Sequence, residues 1–147
     1  MQSKQRQRML EVWNSVNYDV SRVISVVSSV NKNTTRRYSK FIGRVPAYDM
    51  YRKMELQDWR CMYCKTIISF DTCDVDHVIP LASGGEHYLY NLAYTCRYCN
   101  RKKNAKTLKR FCKQMRFDYE SIMQEMADIN QKLHDELIRD NQELDTA

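Results

Sequence analysis

Glycine and proline are scarce. The chain has three Gly and two Pro in 147 residues, so few sharp turns are available to it and a mostly helical fold is expected. No run of about 18 apolar residues occurs, so no membrane-spanning helix is expected. The opening residues 1–8, Met-Gln-Ser-Lys-Gln-Arg-Gln-Arg, lead into no signal-peptide core. An intracellular, cytoplasmic setting is the default, and cysteine pairs at short spacing there are metal ligands before they are disulfides. The length suits one or two small domains. With 43% hydrophobic residues the chain can bury a core, but a divided core would be thin, and small modules often supplement packing with a metal.

Acid is missing from one stretch altogether. Residues 101–116 carry eight Lys/Arg and no Asp/Glu. Residues 1–44 carry nine Lys/Arg against two acids, while residues 117–147 carry two against nine. Two basic segments flanking a cysteine cluster suggest a polyanion partner, although most charge runs are only solvated helix faces. The acidic tail is expected either in solvent or against a basic surface.

The chain divides into an N-terminal helical part (1–44), a cysteine-bearing part (47–112) and an acidic tail (113–147). Residues 4–16 carry Met9, Val12, Trp13 and Val16 at helical spacing. Asp19 is a suitable N-cap for a second helix with Val20, Val23, Ile24 and Val27 as its apolar stripe. Residues 28–31, Ser-Ser-Val-Asn, read as a turn, and a third helix is expected over about 32–41. Together they resemble a helix-turn-helix, with Lys32, Arg36, Arg37 and Lys40 as candidate DNA contacts; a plain helical packing domain fits the same pattern. Residues 47–58 fit a helix, residues 67–70 and 75–79 have strand character, and residues 92–94 suit a returning strand. Helix resumes near 97–100 and is expected to continue through Phe111. In the tail, Ile122, Met126, Ile129, Leu133 and Leu137 form a seam. Intramolecular packing of that seam is favoured over a coiled-coil dimer.

Cys61 and Cys64 are separated by two residues, and so are Cys96 and Cys99. Such gaps let two sulfurs face one ion, and four thiolates give zinc the closed tetrahedral shell of a structural site. The pairs are 31 residues apart, more than the common pattern needs, so something is inserted between them. Cys73 and Cys112 read as ordinary thiols.

The insert contains Asp76-His77-x2-Pro80, then Gly84-Gly85, then Asn91-Leu92, and Cys99 is followed by Asn100-x2-Lys103. With the cysteine pairs, this order of elements resembles the HNH endonuclease family over residues 60–103. The resemblance implies an α+β fold, mostly helical, around a ββα-metal core with a four-cysteine zinc site. It also implies a phosphodiester hydrolase acting on DNA with one catalytic divalent cation, Mg²⁺ or Mn²⁺, besides the structural Zn²⁺. His77 matches the general base, and an imidazole with a reference pKa of roughly 6.5 suits that task. Asp76 and Asn100 match the oxygen ligands of the hard cation. Asn91 matches the residue that braces the hairpin and orients the base. Lys103, one turn beyond Asn100 on the same helix face, is expected to reach phosphate. Arg101, Lys102 and Lys106 are candidate DNA contacts. Asn stands at the third motif position in place of His, and the loop after Gly85 carries Glu86 and His87. His87 is expected to be an exposed loop histidine without a metal role, and His134 a surface residue.

A nicking or site-preferring nuclease is therefore the leading expectation, of the homing, phage-borne or restriction-like kind, working as a monomer or homodimer on double-stranded DNA. The rival from another class is a non-catalytic, zinc-dependent DNA-binding regulator. RNA as substrate is a third possibility.

Overall fold

The computed structural model describes residues 25–32 and 47–145. The expected helix over 4–16, the start of the second helix at Asp19, and Arg36, Arg37 and Lys40 lie outside the described residues. Residues 25–32 are helical. This corrects the expected turn at 28–31, where nothing of the Gly or Pro kind interrupts the hydrogen-bond ladder. Val27 from this stretch is buried in the core.

Helix α1 (Ala47–Leu56) buries Met50, Tyr51 and Met54. The chain then enters the first cysteine pair through Asp58 and Trp59, both at positive φ. Residues 67–70 form no strand; a single bridge, Arg60 to Ile67, closes the knuckle. Strand β1 (Cys73–His77) pairs antiparallel with β2 (Leu92–Cys96), Cys73 opposite Cys96 and His77 opposite Leu92. The first strand thus ends at His77, short of the expected Ile79. Two backbone groups of Tyr94 bond the Gln57 amide, at 3.0 Å each, and Met62 N donates to Tyr94 O at 3.0 Å. A side chain and the knuckle thereby satisfy the outer edge of β2, which would otherwise invite pairing with another chain.

The hairpin is joined by a long connection containing two single-turn helices, Leu81–Ser83 and Leu89–Asn91. Gly84 sits at φ +88°, and a Cβ on Gly85 would lie 1.9 Å from the carbonyl oxygen of Ile79. Only glycine fits at Gly85, because the obstacle is backbone.

Helix α2 (Arg97–Lys103) follows β2 directly. It does not continue through Phe111: Asn104, at φ 49° and ψ −127°, ends it, and Thr107 caps helix α3 (Leu108–Met115) by accepting from Arg110 N. The long helix α4 (Tyr119–Asp145) packs its seam inward, with Ile122, Ile129 and Leu133 buried in the same core. Its acids meet cations of the core: Glu136 pairs with Arg52 at 2.6 Å, and Glu125 with Lys65. The seam is therefore used within the chain. Tyr51, Trp59, Phe70 and Tyr94 form an aromatic cluster, with ring centroids 5.4–6.4 Å apart, under the hairpin. Among the described residues the fold is mostly helical with one two-stranded sheet. Among the described residues no helix is long and apolar enough to cross a membrane.

Candidate active site and metal centres

The sulfurs of Cys61, Cys64, Cys96 and Cys99 all lie within 4.8 Å of one another, and those of Cys64 and Cys96 are 3.7 Å apart. Sulfurs about 2.3 Å from one tetrahedral ion would be roughly 3.8 Å apart. The knuckle backbone turns donors toward them: Tyr63 N and Cys64 N to Cys61 Sγ at 3.4 and 3.5 Å, Cys99 N to Cys96 Sγ at 3.4 Å. Cys96 also caps α2 through that contact, so one of the four gathered sulfurs stands at the positive end of the helix. Burial pushes the Cys61 thiol up to about 11 and that of Cys99 higher still. Four sulfurs gathered at this density fit a cation that draws off their protons. Cys73 and Cys112 are buried outside this group.

Asp74 and Asp76, two residues apart on β1, share the strand face that α2 covers. Asn100 and Lys103, three apart on α2, meet them in turn. The Asn100 amide lies 3.1 Å from Asp74 Oδ2, and Lys103 Nζ lies 3.0 Å from Asp76 Oδ2. Tyr63, from inside the first knuckle, donates its hydroxyl to Asp76 Oδ2 at 2.5 Å. Lys103 also donates to the His77 carbonyl at 3.1 Å. Its side chain is 0% exposed, which corrects the expectation of a phosphate-reaching lysine: the ammonium turns inward to hold a buried carboxylate. Burial raises the pKa of Asp76, while Lys103 and Tyr63 oppose the rise.

His77, on the opposite strand face, directs Nε2 at Nδ1 of His87, 2.9 Å away. His87 is buried, 6% exposed, and its Nε2 lies 2.8 Å from Asn31 Oδ1. The expected exposed loop histidine is therefore an internal one, because the Gly84-Gly85 turn folds the loop back over the hairpin end. Burial pushes His77 down to about 4, with the charges of His87 and Lys103 acting the same way. Asn91 is also buried. Its amide accepts from Ile79 N at 2.9 Å and donates to the carbonyls of Ile79 and Glu86 at 3.0 and 2.8 Å. Its backbone carbonyl accepts from Val78 N at 2.8 Å, next to His77.

Among the candidate DNA contacts, Lys32, Arg101 and Lys102 are exposed, and Lys106 is half-buried with its ammonium on the Lys102 carbonyl. Exposed Tyr98 lies under Lys102 Nζ at 5.7 Å. His134 is exposed, with Nδ1 3.4 Å from the Tyr90 hydroxyl.

A sequence profile of the HNH endonuclease family matches residues 61–116. This segment, well under half of the chain, is similar to the HNH endonuclease family. Two sequence relatives share part of the chain. The CRISPR-associated endonuclease Cas9 of Actinomyces naeslundii is 38% identical over 76 residues, 50% of this chain and 7% of that protein. The CRISPR-associated endonuclease Cas9 of Corynebacterium diphtheriae is 33% identical over 54 residues, 36% of this chain and 5% of that protein. The chain thus spans only a small fraction of the relatives it matches. Overlaid on the crystal structure of the Type II-C Cas9 enzyme from Actinomyces naeslundii, 84% of this chain covers 16% of that one, with 24% identity and a TM-score of 0.38.

The HNH segment offers a hard cation two carboxylates and an amide oxygen, donors of the kind Mg²⁺ or Mn²⁺ takes. The expected pair was Asp76 and Asn100. The structure sets Asn100 beside Asp74 and gives Asp76 to Lys103 and Tyr63. Asp74 is the residue that sequence reasoning passed over. Its signal was present in the Asp-Val-Asp alternation, which puts two acids on one face of a strand.

Proposed function

We propose that this chain is a DNA endonuclease of HNH type, hydrolysing phosphodiester bonds with one catalytic divalent cation. The observation that carries the reading is the hairpin-and-helix cluster of Asp74, Asp76, His77, Asn100 and Lys103, built onto a four-cysteine site. Both relatives are named endonucleases, which supports the same class. DNA as the substrate rests on the family resemblance and on the exposed cations of α2 and α3, which offer salt-dependent phosphate contacts.

In this reading His77 takes the proton of the attacking water. Asp76 and Asn100, with Asp74 on the same strand face as Asp76, would hold the cation. When bound, Mg²⁺ or Mn²⁺ supplies Lewis-acid stabilisation of charge on the phosphate and the departing 3′ oxygen. Lys103 and Tyr63 fix the Asp76 carboxylate. Asn91 keeps the residues after His77 in one conformation by clamping both sides of the loop. Cys61, Cys64, Cys96 and Cys99 hold Zn²⁺ as scaffold. One such site cuts one strand, so a monomer nicks, leaving 5′-phosphate and 3′-hydroxyl ends.

The test is incubation of the zinc-loaded chain with supercoiled plasmid and Mg²⁺. Open-circular product with 5′-phosphate ends is expected. DNA binding without any cut would favour a zinc-dependent regulator, and cleavage of RNA alone would move the substrate.

A further inference from the structure

Asn31, His87 and His77 form a continuous hydrogen-bonded row from the N-terminal helical stretch to the proposed base. His87 Nε2 is 2.8 Å from Asn31 Oδ1, and His87 Nδ1 is 2.9 Å from His77 Nε2. The row has a direction. A carbonyl oxygen only accepts, so the His87 proton is on Nε2. A neutral His87 then offers a lone pair at Nδ1, and His77 must donate from Nε2. The basic site of His77 is therefore Nδ1.

We propose that His87 is a positioning residue that, backed by Asn31, holds His77 in the tautomer whose Nδ1 lone pair receives the water proton. The inference rests on the reading of His77 as the base, and it deepens that reading. A partner on one ring nitrogen selects the tautomer and the ring orientation of a functional histidine. His87 suits that role because it is buried and held from both sides. The loop that carries it is locked by Asn91 on the Ile79 and Glu86 carbonyls and by the close approach at Gly85. Residues 25–32, whose Val27 is buried in the core, supply the acceptor that orients His87.

Two variants separate this role from simple packing. His87→Asn keeps an oxygen acceptor near the position of Nδ1. His87→Phe keeps a ring of similar size and offers no acceptor. The measurement is long-range ¹H–¹⁵N spectroscopy of the zinc-loaded 147-residue chain, which reads the protonated nitrogen of His77 without any nuclease activity. Plasmid cleavage kinetics accompany it. Wild type and His87→Asn are expected to show the Nε2–H tautomer of His77, and His87→Phe an averaged signal. In cleavage, kcat is expected to fall about 10- to 100-fold for His87→Phe with KM unchanged, the scale on which the second partner of a functional imidazole acts, and to stay within a few-fold of wild type for His87→Asn. An unchanged His77 spectrum in His87→Phe overturns the proposal, as do equal losses in the two variants. Wild-type chain that shows the tautomer and cuts no substrate would defeat the nuclease reading while leaving the positioning geometry intact.

Discussion

Lys103 and Asp76 form a buried ion pair, their side chains 0% and 7% exposed. Replacing one partner of such a pair strands the other charge, at a cost of about 3–5 kcal/mol. Lys103→Met should lower the denaturation free energy of the zinc-loaded chain by that amount; a loss under about 1 kcal/mol would show that the pair contributes little. Lys53 is buried differently. Its ammonium contacts the Leu89 carbonyl at 2.5 Å and Asn130 Oδ1 at 3.2 Å, and burial lowers its pKa to about 7. A folded value below the free one of 10.5 means the unfolded chain holds the extra proton between those limits. Stability from this position is therefore full above the upper limit and lost as pH falls toward 7. The stability of wild type relative to Lys53→Met should rise between pH 7 and 9, as urea midpoints at the two pH values would show; a flat difference contradicts it. At this scale the order and spacing of Asp76, His77, Asn91 and Asn100 single these positions out, and their roles stand as proposed above. The placement of His87 and Lys103 was not legible. A loop histidine and a helix lysine in a basic run both read as exposed, and only the folded loop and the buried carboxylate turn them inward.

The loop between β1 and β2 is the element on which the site depends. Its conformation is held by Gly85 against the Ile79 carbonyl and by the three amide contacts of Asn91. Gly85→Ala should displace the loop and with it His87, since backbone cannot yield to a Cβ at 1.9 Å. Cleavage should drop about 100-fold, the scale of an ångström-sized misplacement, while zinc stoichiometry stays at one per chain; unchanged cleavage would mean the loop can refold around the methyl group. The hairpin and α2 were legible from strand alternation and from the knuckle that starts the helix. The break at Asn104 was not, because basic residues continue on both sides and Asn at positive φ carries no unique mark. The capping Thr107 before the apolar pair of Leu108 and Phe111 was its one local signal. The turn expected at 28–31 failed for the converse reason: serine and asparagine favour turns only where the ladder is not otherwise supported.

At the scale of the molecule, among the described residues, one core of modest size is shared by α1 to α4, the helical stretch 25–32 and a two-stranded sheet, and the cysteine site stitches its middle. Cys61 and Cys64 belong to the knuckle under α1, and Cys96 and Cys99 to the junction of β2 and α2. Removing zinc should therefore unravel the hairpin as well as the knuckle, since metal binding and folding are one equilibrium in such modules. A zinc chelator in excess Mg²⁺ should abolish cleavage and reduce helical circular dichroism together; cleavage that persists in metal-stripped chain would make the cysteines dispensable. The general architecture was legible because cysteine spacing and amphipathic seams are global signals. The inward pairing of the acidic tail with Arg52 and Lys65 was one of two outcomes that charge alone allowed. The central claim is that scaffold and chemistry are separate layers of one nested site. Its most direct measurement is plasmid cleavage by His77→Ala beside wild type, each with zinc content and circular dichroism recorded. The account predicts a folded, zinc-loaded His77→Ala chain that binds DNA and leaves it uncut; cleavage at the wild-type rate by that variant would contradict it.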